Sequence, residues 1–288
     1  MRVEGPCCMP HQLMLPDFNL LSDEELFKNV MQETAKEFEL EMEFLYEGWI
    51  VRFTNPLNRS ERYELLGYDI GLNSSQSSFI AKDKAMCFNY LHEAGVPAIE
   101  HFLLKPDDYK YSYESVKETL AKVKRNYPFP LVVKQNNGGG GKNISFAYDD
   151  SDLTFAIVEY AKDHLEIALS PYYDFPIEYR CTYLDGEILM SYGKTKGENQ
   201  QNNLSKGARV VDVPEAIKEE LHAIAIDAAK AVGLRFANID IVETNKGLLV
   251  LEVNATVAQK RVARYSPELY EQAVNVYVKA LGKLIERV

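Results

Sequence analysis

Residues Phe236-Ala-Asn-Ile-Asp-Ile-Val-Glu-Thr-Asn-Lys-Gly-Leu-Leu-Val-Leu-Glu-Val-Asn-Ala-Thr256 decide how the chain is read. Two apolar, β-branched runs flank Asn245-Lys246-Gly247, where glycine supplies the positive φ of a tight hairpin turn. A hairpin pivoting there sets Asp240 opposite Glu252. Side chains alternate faces along a strand, so Asn254 shares the face of Glu252. Two carboxylates and an amide then stand together among Ile, Val and Leu. Like charges in such surroundings need a cation or a shared proton to offset them. Oxygen donors of this kind suit Mg2+, which also takes waters and substrate phosphates. The plainer alternative is a hairpin whose polar side lies in water. Asn254 argues against it, because Asn is depleted in strand interiors unless it has a partner.

Upstream, Phe129-Pro-Leu-Val-Val-Lys-Gln-Asn-Asn-Gly-Gly-Gly-Gly-Lys-Asn-Ile-Ser145 puts Lys134 near the end of a strand, followed by Gly138, Gly139, Gly140 and Gly141. Successive glycines let backbone N–H groups converge on phosphate oxygens and let a loop open and close, and the lysine adds a point charge. A linker is the alternative, but Ile144-Ser-Phe146 resumes a strand at once, which favours a hairpin. No Gly-Lys-Ser/Thr opens a helix here, so this is not a P-loop. Ile177 to Tyr192 reads as a second hairpin around Asp185-Gly186. Glu178, Arg180 and Thr182 share one face of it, and Lys194 follows on the partner strand. Glu178 and Arg180 pairing across the sheet is the structural alternative.

The remaining pattern is mixed. Ser22 and Glu25 form a capping-box signature for a helix to about Glu39, and Phe44 to Phe53 reads as a hairpin turning near Glu47-Gly48. Asn73 to Ser78 reads as a polar linker, followed by a helix from Ile80 to Ala94. Lys82, Asp83 and Lys84 fall in its first turn, where cations oppose the helix dipole unless an anion binds. A solvated basic start is the alternative. Short strands are expected at Ala98 to Leu104 and Ile167 to Tyr173, and helices at 113–125, 151–166, 214–232 and 267–287.

The whole composition narrows the partners. A net charge of −11 over 288 residues disfavours nucleic acid and anionic membrane surfaces. No apolar run reaches the ~18 residues of a membrane span, and the N-terminus has no signal-peptide core. The 4 cysteines make no disulfide framework, which points to a cytoplasmic localisation. Cys7, Cys8 and His11 lack the spacing of a metal site.

Taken in order, these segments resemble the ATP-grasp superfamily over roughly residues 80 to 288, closest to its glutamate-ligase-like and cyanophycin- or glutathione-synthetase-like branches. The most specific likeness is Asn238-Ile-Asp-Ile-Val followed by Leu251-Glu-Val-Asn-Ala255. The resemblance implies an α/β (α+β) ATP-grasp fold. Two α+β subdomains, 81–166 and 167–288, would grip ATP between two sheets, preceded by a small α/β domain, 1–80. It implies ATP with two Mg2+ ions (Mn2+ as a substitute), held by Asp240, Glu252 and Asn254, with Asn203 of Asn203-Leu-Ser-Lys-Gly207 as a fourth ligand.

It further implies that Lys84 and Lys134 bind α- and β-phosphate under the glycine loop, Gly138 to Gly141. Glu178 lines the nucleotide site, and adenine meets the backbone of Ala168, Leu169 and Ser170. Arg180 and Lys194 are the implied catalytic cations. The implied reaction is carboxylate attack on the γ-phosphate of ATP to give an acylphosphate, which an amine converts to an amide. Substrates would be amino acids or a peptide, with no nucleic acid or membrane partner, and a homodimer is compatible. A small-molecule kinase and a non-catalytic ATP-binding regulator are the alternatives.

The chain departs from the family pattern in three places. No acidic residue stands at the expected adenine hinge, and Ala-Thr-Val-Ala-Gln follows Asn254 instead of Ala-Ser-Pro-Gly. The first 80 residues are unlike the usual Rossmann-like preceding domain. Arg261 and Arg264 would hold a substrate carboxylate or cover the surface.

Overall fold

The computed structural model describes residues 21–105, 113–139, 143–197, 204 and 207–286. Cys7, Cys8, His11, Gly140, Gly141 and Asn203 lie outside the described residues.

Helix α1 (Asp23–Glu37) starts at the expected capping box: the Glu25 N–H donates to Ser22 Oγ at 3.1 Å, and the Ser22 N–H to Glu25 Oε2 at 2.8 Å. Strands β1 (Glu41–Leu45), β2 (Ile50–Thr54) and β3 (Arg62–Leu66) form a three-stranded antiparallel sheet. Two helices follow where one was expected, α2 (Ser75–Lys82) and α3 (Lys84–Glu93).

The linker expected at Asn73 to Ser78 is corrected by its side chains. Ser74 accepts from the Ser77 N–H at 3.0 Å and so caps α2. Asn73 accepts from the Arg235 and Phe236 N–H groups and donates to the Phe236 and Ala255 carbonyls, fastening this segment to the late hairpin. The expected boundary at residue 80 therefore falls inside a helix.

A four-stranded sheet follows, in the order β4 (Phe102–Leu104), β7 (Ile167–Pro171), β5 (Leu131–Gln135), β6 (Ile144–Ala147). Helices α4 (Tyr113–Asn126) and α5 (Asp150–Lys162) precede β5 and β7 in sequence. One face of this sheet packs a core of Leu104, Leu131, Val133, Ile167 and Leu169 against Val123 of α4 and Leu153 and Ile157 of α5. Alternation sends His101, Leu103, Lys134 and Ala168 to the other face.

The larger sheet is five-stranded: β10 (Val210–Val211), β9 (Glu187–Thr195), β8 (Ile177–Leu184), β11 (Phe236–Thr244), β12 (Gly247–Asn254). Helix α6 (Glu215–Val232) covers one face through Leu221, Ala225 and Ala228, which meet Tyr179, Cys181, Ile239 and Val250. The opposite face is shared. At one end Leu184, Met190, Tyr192 and Phe236 join the core of α1, β1–β3 and the last helix, α7 (Pro267–Ile285). At the other, Val242 and Leu249 meet Ile99 ahead of β4, with Tyr173 and Phe175 from the β7–β8 connection packed against them. The mixed α/β class with facing antiparallel sheets is the one expected. Between the two covered ends lies a polar strip, and it holds the site.

Candidate active site between the two sheets

Asp240 and Glu252 face each other in register on β11 and β12. They do so through a bulge. Thr244 pairs with Gly247 (φ 93°) across the two-residue turn Asn245-Lys246, and Ile241 pairs with Val250. The register then shifts, leaving Leu251 as the extra residue. Without that insertion Leu251 would oppose Asp240, and Glu252 would face α6. Asn254 lies one step further along and donates from Nδ2 to Asp240 Oδ2 at 3.2 Å.

The neighbouring strand supplies cations. Arg180, opposite Asp240 in register, donates from Nε and Nη2 at 2.7 and 2.6 Å to the two carboxylate oxygens. Lys194 of β9, with 5% side-chain exposure, donates to Asp240 Oδ1 at 3.2 Å and also to Glu178. Burial alone would raise the Asp240 pKa, but Arg180 and Lys194 outweigh it and hold the carboxyl below its usual range. Glu178 is pushed up by burial, with Asp240 adding to the effect and Lys194 opposing it. The structural alternative for Glu178 and Arg180, pairing across the sheet, does form: Arg180 pairs with Asp240 of β11 and Glu178 with Lys194 of β9.

The smaller sheet brings the two remaining lysines. Asp83 ends α2 and caps α3, accepting from the Met86 N–H at 2.8 Å, which leaves Lys84 as the first residue of α3. Asn136, just past β5, accepts from the Ala85 N–H at 3.1 Å and binds that helix start to the lysine strand. Lys84 Nζ donates to the carbonyls of Asn136 and Gly138 and stands 3.6 Å from Glu252 Oε1. Burial lowers the Lys134 pKa; Glu252 works against that shift and Lys84 adds to it. Gly138 packs on Gln135, whose Cβ a methyl group there would meet at 3.0 Å, and Gly139 is open. The described cluster thus sets Lys84, Lys134, Arg180 and Lys194 against Glu178, Asp240 and Glu252.

Its donors fit a hard cation. Among the described residues no group of three or more His, Cys, Asp and Glu side chains gathers that could hold a metal ion by itself. Two carboxylates and an amide oxygen on one face instead match Mg2+ that completes its shell from phosphates and water.

Strand β7 is paired on both flanks over Ile167–Leu169, with β4 on one side and β5 on the other. Leu169 is the last residue of β7 in register with β4, and Ser170 is in register with Val132 of β5. The apolar wall comes from the next segment, through Tyr173 and Phe175.

Other polar residues here escaped the sequence reading. Gln259 donates from Nε2 to Thr182 Oγ1 at 2.6 Å, and Thr182 donates to Asn238 Oδ1 at 2.8 Å, a buried chain beside Arg180 and Asp240. Only the polar-at-every-second-position pattern of β8 and β11 could have hinted at it. Arg264 donates to Asp23 and to the Leu21 carbonyl, and Arg261 to Asp23, so both fasten the loop after β12 to the start of α1.

The model of the RimK-like ATP-grasp domain matches residues 81–272, more than half of the 288-residue chain. The chain is 30% identical over 175 residues to the tetrahydromethanopterin:alpha-L-glutamate ligase of Methanocaldococcus jannaschii, covering 59% of this chain and 50% of that protein. A probable alpha-L-glutamate ligase of Legionella pneumophila is 27% identical over 220 residues, 75% of this chain and 65% of its own length. The chain therefore spans only about half to two thirds of these relatives. The crystal structure of D-alanine–D-alanine ligase from Bacillus anthracis superposes with a TM-score of 0.56 at 20% identity, covering 73% of this chain and 72% of that one, a likeness of fold.

Proposed function

The chain belongs to the RimK-like ATP-grasp family, and from that premise we propose that it joins a carboxylate to an amine with cleavage of ATP to ADP and phosphate. One observation carries the reading: four cations and three oxygen donors, gathered from α3, β5, β8, β9, β11 and β12, converge on the cleft between two sheets. A triphosphate is the ligand whose charge such a set accommodates. Kinship with glutamate ligases supports an amino-acid substrate.

In this reading Lys84 and Lys134 hold the phosphate chain, and Gly138 and Gly139 begin the loop that closes over it. Asp240, Glu252 and Asn254 would hold Mg2+, which when bound neutralises phosphate oxygens. The substrate carboxylate oxygen bonds to the γ-phosphorus as the bond to the ADP oxygen breaks. The amine nitrogen then bonds to the acyl carbon, and phosphate leaves with the electron pair of the broken C–O bond. Arg180 and Lys194 face the charge that builds on the transferred group, acting from a buried strand where they need not reorganise. We keep the division into 1–80, 81–166 and 167–288 as part of the proposal, with the first and last parts sharing one core.

The test is a screen of amino-acid pairs with purified protein, following ADP and phosphate together with product mass. The expected result is ADP release that requires both an acid and an amine, one free phosphate per ADP, and a product lighter than the pair by one water. Phosphate retained on a single acceptor would show a kinase instead, and nucleotide binding without turnover for any pair would favour a regulator.

A further inference from the structure

His101 stands just ahead of β4, 7% exposed, on the cleft side of the smaller sheet. Leu103 pairs with Ala168, and Ala168 with Lys134, so these three share one face, and alternation places His101 on it too. It lines a small cavity with Lys84, Ile99, Leu251 and Glu252. The cavity is walled by Cys87, Phe88 and Leu91 of α3 and by β12, and it shares Ile99 and Leu251 with the apolar cluster of Val242, Leu249, Tyr173 and Phe175.

The protonation of the ring follows from its contacts. Nδ1 lies 2.8 Å from the Ile99 carbonyl oxygen, which can only accept, so Nδ1 carries the hydrogen. Nε2 is then a bare acceptor, and it is buried with no hydrogen-bond partner among the described residues. Burial, with Lys134 and then Lys84 nearby, pushes the imidazole down to about 3, so this neutral tautomer persists at every pH where the protein would work. An orphaned buried acceptor is unfavourable and is relieved by a ligand that brings a donor. The ligand's phosphates bring no donor, and they belong with the lysines. The apolar wall suits a flat ring, and the donor on such a ring is an exocyclic amino group.

We propose that His101 reads the nucleobase: its Nε2 accepts a hydrogen bond from the amino group of a 6-aminopurine and rejects the carbonyl oxygen of a 6-oxopurine. The proposal rests on the cleft being a nucleotide site. It adds a specificity residue that acts by the polarity of one atom, since a bare acceptor facing a carbonyl oxygen leaves both unpaired.

The experiment is calorimetric titration of the full chain with Mg2+ and the non-hydrolysable β,γ-imido analogues of ATP and ITP, which differ at that one purine substituent. Wild type should favour the adenine form by tenfold or more. His101→Leu should lose about tenfold in affinity for it, the worth of one such hydrogen bond, while affinity for the inosine form changes less than twofold. His101→Gln, which can present a carbonyl oxygen, should recover most of the preference. Thermal unfolding without nucleotide should show His101→Leu at least as stable as wild type, because it removes the orphan. Equal losses for both analogues, or an unchanged ratio, would overturn the assignment. So would an equal tenfold deficit of 2′- or 3′-deoxyATP on wild type that vanishes in His101→Leu, which would place the donor on the ribose. If neither analogue binds wild type, the nucleotide reading itself falls and takes this one with it.

Discussion

Asp240 and Glu252 oppose each other on one strand pair, yet their surroundings give them different work. The Asp240 side chain is 3% exposed and engaged by Arg180, Lys194 and Asn254, whereas Glu252 is 31% exposed and, among the described residues, forms its ion pair with Lys84 at 3.6 Å. Removing the charge of Asp240 leaves Arg180 without its carboxylate and buried Lys194 with Glu178 alone among the described residues. Breaking a buried pair from one side costs about 3–5 kcal/mol, far more than an exposed pair at about 0–1 kcal/mol. Asp240→Asn should therefore lose several kcal/mol in urea denaturation as well as turnover. Glu252→Gln should unfold within about 1 kcal/mol of wild type while losing the Mg2+ dependence of nucleotide binding. Equal destabilisation by the two would refute the division of labour.

At the scale of elements, Asp83 is the joint that sets Lys84. It ends α2 and caps α3 in a single residue. Asp83→Ala should cost about 1 kcal/mol, the usual worth of an N-cap, and should raise the KM for ATP several-fold because the first turn of α3 carries the lysine. Asp83→Asn, an equally good cap, should restore both stability and KM; a KM that stays raised in it would assign Asp83 a role beyond capping. The joint was only half legible. Lys84 stood out as a cation at a helix start, but Ser74, Ser75, Ser77 and Ser78 read as a linker. Their capping and packing depend on Asn73 reaching residues 235, 236 and 255, contacts that no local pattern encodes.

The late hairpin was legible in a different way. Alternation placed Asp240, Glu252 and Asn254 together, yet a three-residue turn with unbroken pairing and a two-residue turn with a bulge give the same opposition. Sequence spacing cannot separate them, and the structure takes the second, with Leu251 inserted. The strand at Ile167 to Pro171 was legible only in part, for a related reason. Ile167 to Pro171 announces a strand, but not that β4 and β5 pair with both of its edges. His101 gave no signal, because one histidine before a strand is common and only the buried geometry singles it out.

At the scale of the molecule, the family match begins at residue 81, but the core does not. Leu26, Val30 and Met31 of α1 and Val51, Phe53 and Leu65 of the first sheet lie in one cluster with Leu184, Met190, Phe236, Val276, Tyr277 and Leu281. Tyr277 also donates to the Val257 carbonyl at 2.7 Å, and Arg264 to Asp23 at 2.7 Å, so the loop after β12 is fastened to both α1 and α7. The first module thus completes the far end of the larger sheet. By contrast, the smaller sheet closes a core of its own with α4 and α5. A truncation starting at Asn73 would uncover the apolar face of α7 and the ends of β8, β9 and β11, a contiguous patch of the kind that drives association. The expected outcome is a truncated chain that aggregates or binds a hydrophobic dye without a cooperative thermal transition. A soluble truncation that melts cooperatively within a few degrees of the full chain would show that the shared core is dispensable. Retained ligase turnover in it would further show that the first module does not set the loop at 257–265.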